Sequence, residues 1–412
     1  MDREIGLNRY AELIVKQGLN VQPGQLVNIS CEVFHRELAL LIAKKAYEAG
    51  AGYVMIDLTE PRLTPLRVAH NSEELMAFIP EYITPKYREM VTSKGANLKI
   101  VGLEEPDLLE QTDPRKLNIA RRAVYKAMEY FYEEGIGKSL VHWTVVAAAT
   151  PKWGQRLFPT LTPTAAESRL WDEIFAACRL QSSDFLDAWT KHDASLHRRA
   201  QRLTELKIDS LRFVGPGTDL TVGLSDRAIF KGGSDLGPRG VPFQPNIPTE
   251  ECFTTPDYRR TAGTARCTRP FLINGKLISD LTLRFEQGKI VDFSASNGAE
   301  TFREYISSDP GASRLGEVAL VGIDSPIYKS GIVFEEILFD ENAACHIAVG
   351  SAYKFCIRGG ESLTETEAES IGCNESSAHT DMMISSPQVS VVATLRDGST
   401  RELLHDGQWC DL

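Results

Sequence analysis

The residues of this chain with the clearest chemical potential are histidines and carboxylates scattered through its second half. His379 and Asp381 stand two apart in His379-Thr380-Asp381. In a strand, residues i and i+2 share a face, so both side chains could reach one cation. Taken alone, the tripeptide reads as a solvated strand face, because such pairs are common by chance. His346 lies in Asp340-Glu341-Asn342-Ala343-Ala344-Cys345-His346-Ile347-Ala348-Val349-Gly350, among small apolar neighbours that imply burial. By itself it reads as a hydrogen-bonded core histidine, and Asp340-Glu341-Asn342 as a plain turn. Glu317 sits at the mouth of an apolar run, Leu315-Gly316-Glu317-Val318-Ala319-Leu320-Val321. A buried glutamate is rare unless paired or metal-bound, and an edge glutamate paired to Arg314 is the competing reading.

Glu250-Glu251 follow Pro245-Asn246-Ile247-Pro248-Thr249, whose two prolines imply a rigid, extended approach. In extended chain only one of two neighbours faces a given direction; the alternative is a surface acidic pair. Tyr353 follows His346 by seven residues and, without further context, is a packing residue. The grouping says more than any member. Two of only eight histidines, with Asp381 and several isolated glutamates, fall among apolar strands of one region. Histidine with carboxylate suits zinc, cobalt or manganese. Glu251, Glu317, Glu341 and Asp381 supply four negative charges, which two divalent cations would neutralise. Crowded together without metal they would repel.

The elements that must position these residues differ between the two halves. In the first, helical and strand-like runs alternate: residues 5–17 and Arg36 to Ala49 read as helices, and Gln25 to Cys31, Tyr53 to Leu58, Leu98 to Leu103 and Leu140 to Ala147 as strands. That alternation predicts an open, largely parallel α/β sheet. Ser168 to Leu206 reads as helical, with Phe185, Trp189, His192, Leu196 and Leu203 on one face of a long helix. The second half is β-rich with short turns. Gly215-Pro216-Gly217, Asn274-Gly275 and Gln287-Gly288 each separate two apolar runs, and Asn-Gly is the strongest short hairpin signal. The expected organisation is an N-terminal α/β domain over residues 1–206 and a β-rich α+β domain over 207–412 that carries the metal site.

A 412-residue chain with 42% hydrophobic residues can bury a core without a structural metal, so a metal site would serve chemistry. A net charge of -11 with no lysine/arginine stripe argues against nucleic acid. No apolar run approaches the roughly 18–20 residues of a membrane span, and no signal-like h-region follows the acidic start, which makes the cytoplasm the expected compartment. The eight cysteines form no CxxC pair and read as free thiols. No HExxH, G-x-S-x-G or G-x-x-x-x-G-K is present.

These stretches resemble the M29 metallopeptidases, the aminopeptidase T / aminopeptidase S group. The likeness lies in Pro245 to Glu251, Leu315 to Val321, Phe339 to Ala348 and His379-Thr380-Asp381, with weaker similarity at Gly217 to Leu220, Phe285 to Ile290 and Trp189 to His192. It spans nearly the whole chain. The resemblance implies metal ligands at Glu251, Glu317, Glu341, His346, His379 and Asp381, with Glu251 in preference to Glu250, and a tyrosine near the substrate at Tyr353. It also implies a homodimer. Met382 and Cys252 depart from residues common in the family; both are packing positions or close to them and bear on pocket shape.

The function expected from this resemblance is a metal-dependent aminopeptidase acting on peptides with a free N-terminus. Two divalent ions (Zn, Co, Mn or Mg) about 3.5–4 Å apart would share a carboxylate, here Glu317, and activate a water. Tyr353 would donate a hydrogen bond to the oxyanion, and Glu250 would be the general base. Two alternatives compete: another dinuclear hydrolase acting on phosphoesters or amides, which the lack of cationic clamps near these motifs disfavours, and a non-catalytic small-molecule-binding protein that uses the α/β domain.

Overall fold

The computed structural model describes residues 1–411. The chain divides into two compact units that are not consecutive pieces of sequence. The first comprises Met1–Thr112, Ala123–Ala194 and Gly233–Thr249; the second comprises Asp113–Arg122, Ser195–Gly232 and the chain from Glu250 on.

The first unit is built on a five-stranded sheet whose pairings are all parallel, as the alternation of helix and strand predicts. Its spatial order is Tyr53–Thr59, Leu26–Glu32, Ala96–Val101, His142–Ala147, Asn246–Ile247. The Arg36–Glu48 helix links the first two strands in sequence. Leu38, Ala39, Ile42, Ala43 and Ala46 recur at helical spacing and are its buried residues. The helix ends at Ala49, and Gly50 follows with φ +98°, a conformation that favours glycine. Val27, Asn28 and Ile29 are all buried, the mark of a strand covered on both faces; Asn28 donates to Asn97 of the neighbouring strand. The fifth strand was not visible in the sequence. It has only two residues, too short for a periodic signal, and it returns to this sheet from beyond residue 240.

The long helix expected from Ser168 to Leu206 is two helices, Pro163–Ala177 and Phe185–Glu205. Arg179 takes φ 60° at the break, and Gln181-Ser182-Ser183-Asp184 supplies polar, turn-forming residues there. Among the described residues no helix is long and apolar enough to cross a membrane. All eight cysteines are free.

The second unit contains an eight-stranded antiparallel sheet and a four-stranded antiparallel sheet. The turns expected from sequence are where the chain reverses. Asn274 and Gly275 (φ 52° and 76°) join Phe271–Ile273 to Lys276–Ile278; Gln287 and Gly288 (φ 49° and 79°) join Thr282–Glu286 to Lys289–Ser294. Two successive left-handed residues match the right-handed twist of the flanking strands. The four-stranded sheet runs Cys252–Thr254, Leu315–Leu320, His346–Gly350, His379–Met383. One of its faces (Cys252, Val318, Leu320, Ile347, Val349, Met382) belongs to the main hydrophobic core of the unit. The period of two along each strand therefore assigns the alternate residues to the other face.

Candidate metal centre

That other face gathers most of the residues singled out in the sequence. Glu317 pairs with Ala348 and Ala348 with Asp381, a row across three strands. Two residues along, Ala319 pairs with His346; in the other direction Gly350 pairs with His379. Phe253 pairs with Ala319, and Glu251 lies two residues before it in the approach to the first strand. Glu317 and Asp381 thus both stand opposite Ala348, His379 opposite Gly350, and His346 opposite Ala319 on one side and Met383 on the other, so small residues on neighbouring strands leave the ionisable side chains room.

Glu317 reaches this face through a bulge. The register shifts between Leu315 and Glu317, so Leu315 opposes Val349 but Glu317 opposes Ala348. Without the extra residue, Glu317 would oppose Ile347 and point into the apolar core. The extra residue is Gly316. A Cβ there would lie 2.2 Å from the Ser351 carbonyl oxygen and 2.4 Å from that of Gly350. Only glycine permits this approach.

The side chains converge on Glu317. His346 Nε2 is 3.0 Å from Glu251 Oε2 and 3.9 Å from Glu317 Oε1. His379 Nε2 is 3.4 Å from Glu317 Oε2. Asp381 Oδ1 is 3.9 Å from Nε2 of both histidines. Two donor groups that could hold a metal ion result, Glu251–Glu317–His346 and Glu317–His379–Asp381, each with its donor atoms within 4.8 Å of one another. They share Glu317, one oxygen of which is nearest each histidine.

Both imidazoles are held by their far nitrogens. His346 Nδ1 lies 3.1 Å from the Ala344 carbonyl oxygen, and His379 Nδ1 lies 2.9 Å from that of Ser351. A carbonyl oxygen only accepts, so Nδ1 carries the proton and a neutral ring turns the lone pair of Nε2 toward the acids. Metal-binding histidines take this tautomer. Tyr305 fixes the strand start: its hydroxyl donates to the His379 carbonyl (2.8 Å) and accepts from the His379 N–H (2.9 Å).

The electrostatics are those of a crowded acidic pocket. Burial, with the charges of Asp381 and Glu251 added, raises Glu317 to about 7 against the opposing effect of His379. Burial and the charges of Asp381, Glu251 and Glu317 hold Glu341 well above the usual carboxylate range. Burial alone would keep His346 neutral, but Glu251, Asp381 and Glu317 overturn that and push it up to about 10. His379 rises to about 9 for the same reason, through Glu317 and Asp381. The pocket therefore retains protons that a cation would displace. Glu251 Oε2 is buried with His346 Nε2 3.0 Å away, and a proton held between the two, or a cation in its place, satisfies both. Histidine nitrogens and carboxylates arranged in this way are a donor set that fits divalent cations.

The remaining expected residues lie around this core. Glu341 occupies a single tight turn, Glu341–Ala343, after the Ile337–Asp340 helix; it is buried and feels the charges of the cluster but stands outside the two donor groups. Tyr353 places its hydroxyl 3.2 Å from His379 Nε2, and its ring stacks on Phe355. Burial and then the surrounding carboxylates hold its phenol well above 10, so it stays protonated. Glu250 is buried beside Glu251, and its N–H donates to Asn342 Oδ1 at 2.6 Å. Arg314 is not the partner of Glu317; it donates instead to the Gln287 carbonyl. Gly316, Tyr305 and Asn342 were not foreseen as contributors. A glycine before a glutamate in an apolar run is the available signal for the first; nothing local marks the other two.

Comparison with known proteins decides the family. The sequence model of the family described as thermophilic metalloprotease (M29) matches residues 3–409. The chain belongs to the M29 metallopeptidases. It is 37% identical to aminopeptidase 2 of Geobacillus stearothermophilus over 403 residues, covering 98% of this chain and 97% of that protein. It is likewise 37% identical to aminopeptidase AmpS of Bacillus subtilis (strain 168), covering 98% of each. The solved structure of wild-type AmpT from Thermus thermophilus superposes with a TM-score of 0.88 at 36% identity, covering 98% of this chain and 99% of that one. This M29 chain is accordingly a peptide hydrolase that works with divalent metal ions, and its α/β and β-rich regions are those of the family fold.

Proposed function

We propose that this M29 enzyme is an aminopeptidase in which Glu251, Glu317, Glu341, His346, His379 and Asp381 hold two divalent cations, with Glu317 shared between them. The observation that carries this reading is the division of Glu317, whose Oε1 faces His346 and whose Oε2 faces His379 within two overlapping donor groups. When bound, the ions supply Lewis acidity and lower the pKa of water. The donor set is compatible with Zn, Co, Mn or Mg.

The protein's own groups do the rest. Tyr353, kept protonated, donates a hydrogen bond to the oxygen that becomes negative as the scissile carbonyl is attacked. Glu250 is the proposed acceptor of the proton from the attacking water. The acidic pocket attracts the free α-ammonium of a peptide, which restricts cleavage to the first residue. The names of the relatives support that restriction. The resemblance further supports a homodimer, to which exposed Leu63, Leu66, Phe78 and Tyr82 in the first unit could contribute apolar surface. A cytoplasmic location and a domain division near residue 206 belong to the same reading.

The test is hydrolysis of aminoacyl p-nitroanilides with the α-amine free or acetylated, before and after chelation. Only the free amines are expected to be cleaved, with activity lost on chelation and restored by a divalent cation. Glu317→Ala is expected to lower kcat/KM by about a thousand-fold or more. Equal cleavage of acetylated substrates, or full activity in metal-free enzyme, would overturn the reading.

A further inference from the structure

Of Asp340-Glu341-Asn342, the metal reading assigns a role to Glu341 alone, and Asp340 is taken by Arg269, which leaves Asn342. Asn342 is wholly buried, and its side chain joins two stretches of chain 92 residues apart. Its Oδ1 accepts from the Glu250 N–H at 2.6 Å. Its Nδ2 donates to the Leu338 carbonyl at 2.8 Å and faces Glu341 Oε1 at 3.4 Å. These partners fix the orientation of the amide, since a backbone N–H can only donate and a carbonyl can only accept. The backbone carbonyl oxygen of Asn342 accepts in turn from the Ser325 hydroxyl at 2.6 Å. One side of this amide therefore pins the backbone from which Glu251 projects. The other side anchors the turn that carries Glu341 and meets its carboxylate.

We propose that Asn342 is a positioning residue for one of the two ion sites. It sets the distance between Glu251 and Glu341, and so tunes the Glu251–Glu317–His346 group while leaving the Glu317–His379–Asp381 group alone. The second group has supports of its own: the His379 ring is held by the Ser351 carbonyl and its backbone by Tyr305. The proposal rests on the two-ion reading and assigns the two sites different supports.

Asn342→Asp separates the functions of the amide. The new carboxylate can still accept from Glu250 N–H, but it cannot donate to Leu338 and it adds a negative charge against Glu341. Metal-free full-length enzyme would be titrated with Co²⁺ and followed by calorimetry and by the visible bands of the bound ion. Wild type is expected to bind two ions. Asn342→Asp is expected to bind one of them about 10–100-fold more weakly, the usual effect of losing an outer-shell contact, with the other changed by less than about twofold. Thermal melts of the metal-free proteins check folding, and Asn342→Ser serves if the aspartate variant does not fold. Two unaltered affinities in a folded variant, or equal weakening of both, would overturn the proposal. Wild type that bound no Co²⁺ would instead overturn the two-ion reading beneath it.

Discussion

Two histidines packed in the first unit and two in the second are shifted in opposite directions. His35 is buried with neither ring nitrogen hydrogen-bonded, and burial drives it down to about 4. His142 is buried too; burial lowers it, although Nδ1 meets the Leu19 carbonyl at 2.7 Å. His346, as buried as these two, and His379, which is partly exposed, rise to about 10 and 9. The difference is the company each keeps. An apolar surrounding expels the imidazolium, whereas carboxylates a few ångströms away hold it. A buried histidine thus says little about function until its carboxylate neighbours are known. The sheets differ as well: the Leu26–Glu32 strand of the parallel sheet buries apolar residues and an asparagine side by side, while the four-stranded antiparallel sheet gives one face to the core and the other to ionisable residues.

The contrast can be broken most severely at Gly316. Gly316→Ala forces a Cβ against the Ser351 and Gly350 carbonyls and either distorts the bulge or returns Glu317 toward the core. It is expected to destabilise the protein by about 3 kcal/mol and to reduce kcat/KM by at least about a hundred-fold, read by urea unfolding and by aminoacyl p-nitroanilide hydrolysis. Wild-type values for both would remove the bulge from the explanation.

The first unit offers the next test. His35 takes up a proton near 6.5 when unfolded and only near 4 when folded. Its contribution to stability is therefore complete above about pH 6.5 and is lost as pH falls toward 4, amounting to about 3 kcal/mol at the acid end. His35→Gln should flatten that part of the stability–pH curve in chemical denaturation. A slope equal to that of wild type would mean that His35 is not held neutral. A smaller change is expected from Tyr353→Phe, which keeps the ring and removes the donor: kcat should fall by about 10–100-fold with KM little altered. A change in KM alone would place the hydroxyl in substrate binding instead.

Much of this was legible in the residues. The helix–strand alternation before residue 150 announced a parallel sheet, because each strand needs a crossover to return. The Asn274-Gly275 and Gln287-Gly288 pairs announced hairpins, because two left-handed residues in succession serve little else. His379-Thr380-Asp381 disclosed a shared face through the period of two. What stayed hidden depended on pairing between distant segments. Nothing near Asn246 and Ile247 showed that they complete a sheet begun at Leu26, and nothing near Gly316 showed that a bulge would turn Glu317 from the core to the acidic face. The break at Arg179 was masked by apolar periodicity that continues on both sides of it. Tyr305 and Asn342 act through side-chain hydrogen bonds to backbone 74 and 92 residues away, which leave no local pattern.

The most direct measurement is the metal content of the purified enzyme, determined per chain by elemental analysis after equilibration with excess Zn²⁺ and removal of loosely held ions, for wild type and for Glu317→Ala. Two ions per chain in the wild type, and fewer than one in the variant, are the expected values if a single carboxylate serves both donor groups. One ion in the wild type, or two retained without Glu317, would contradict the shared-carboxylate centre.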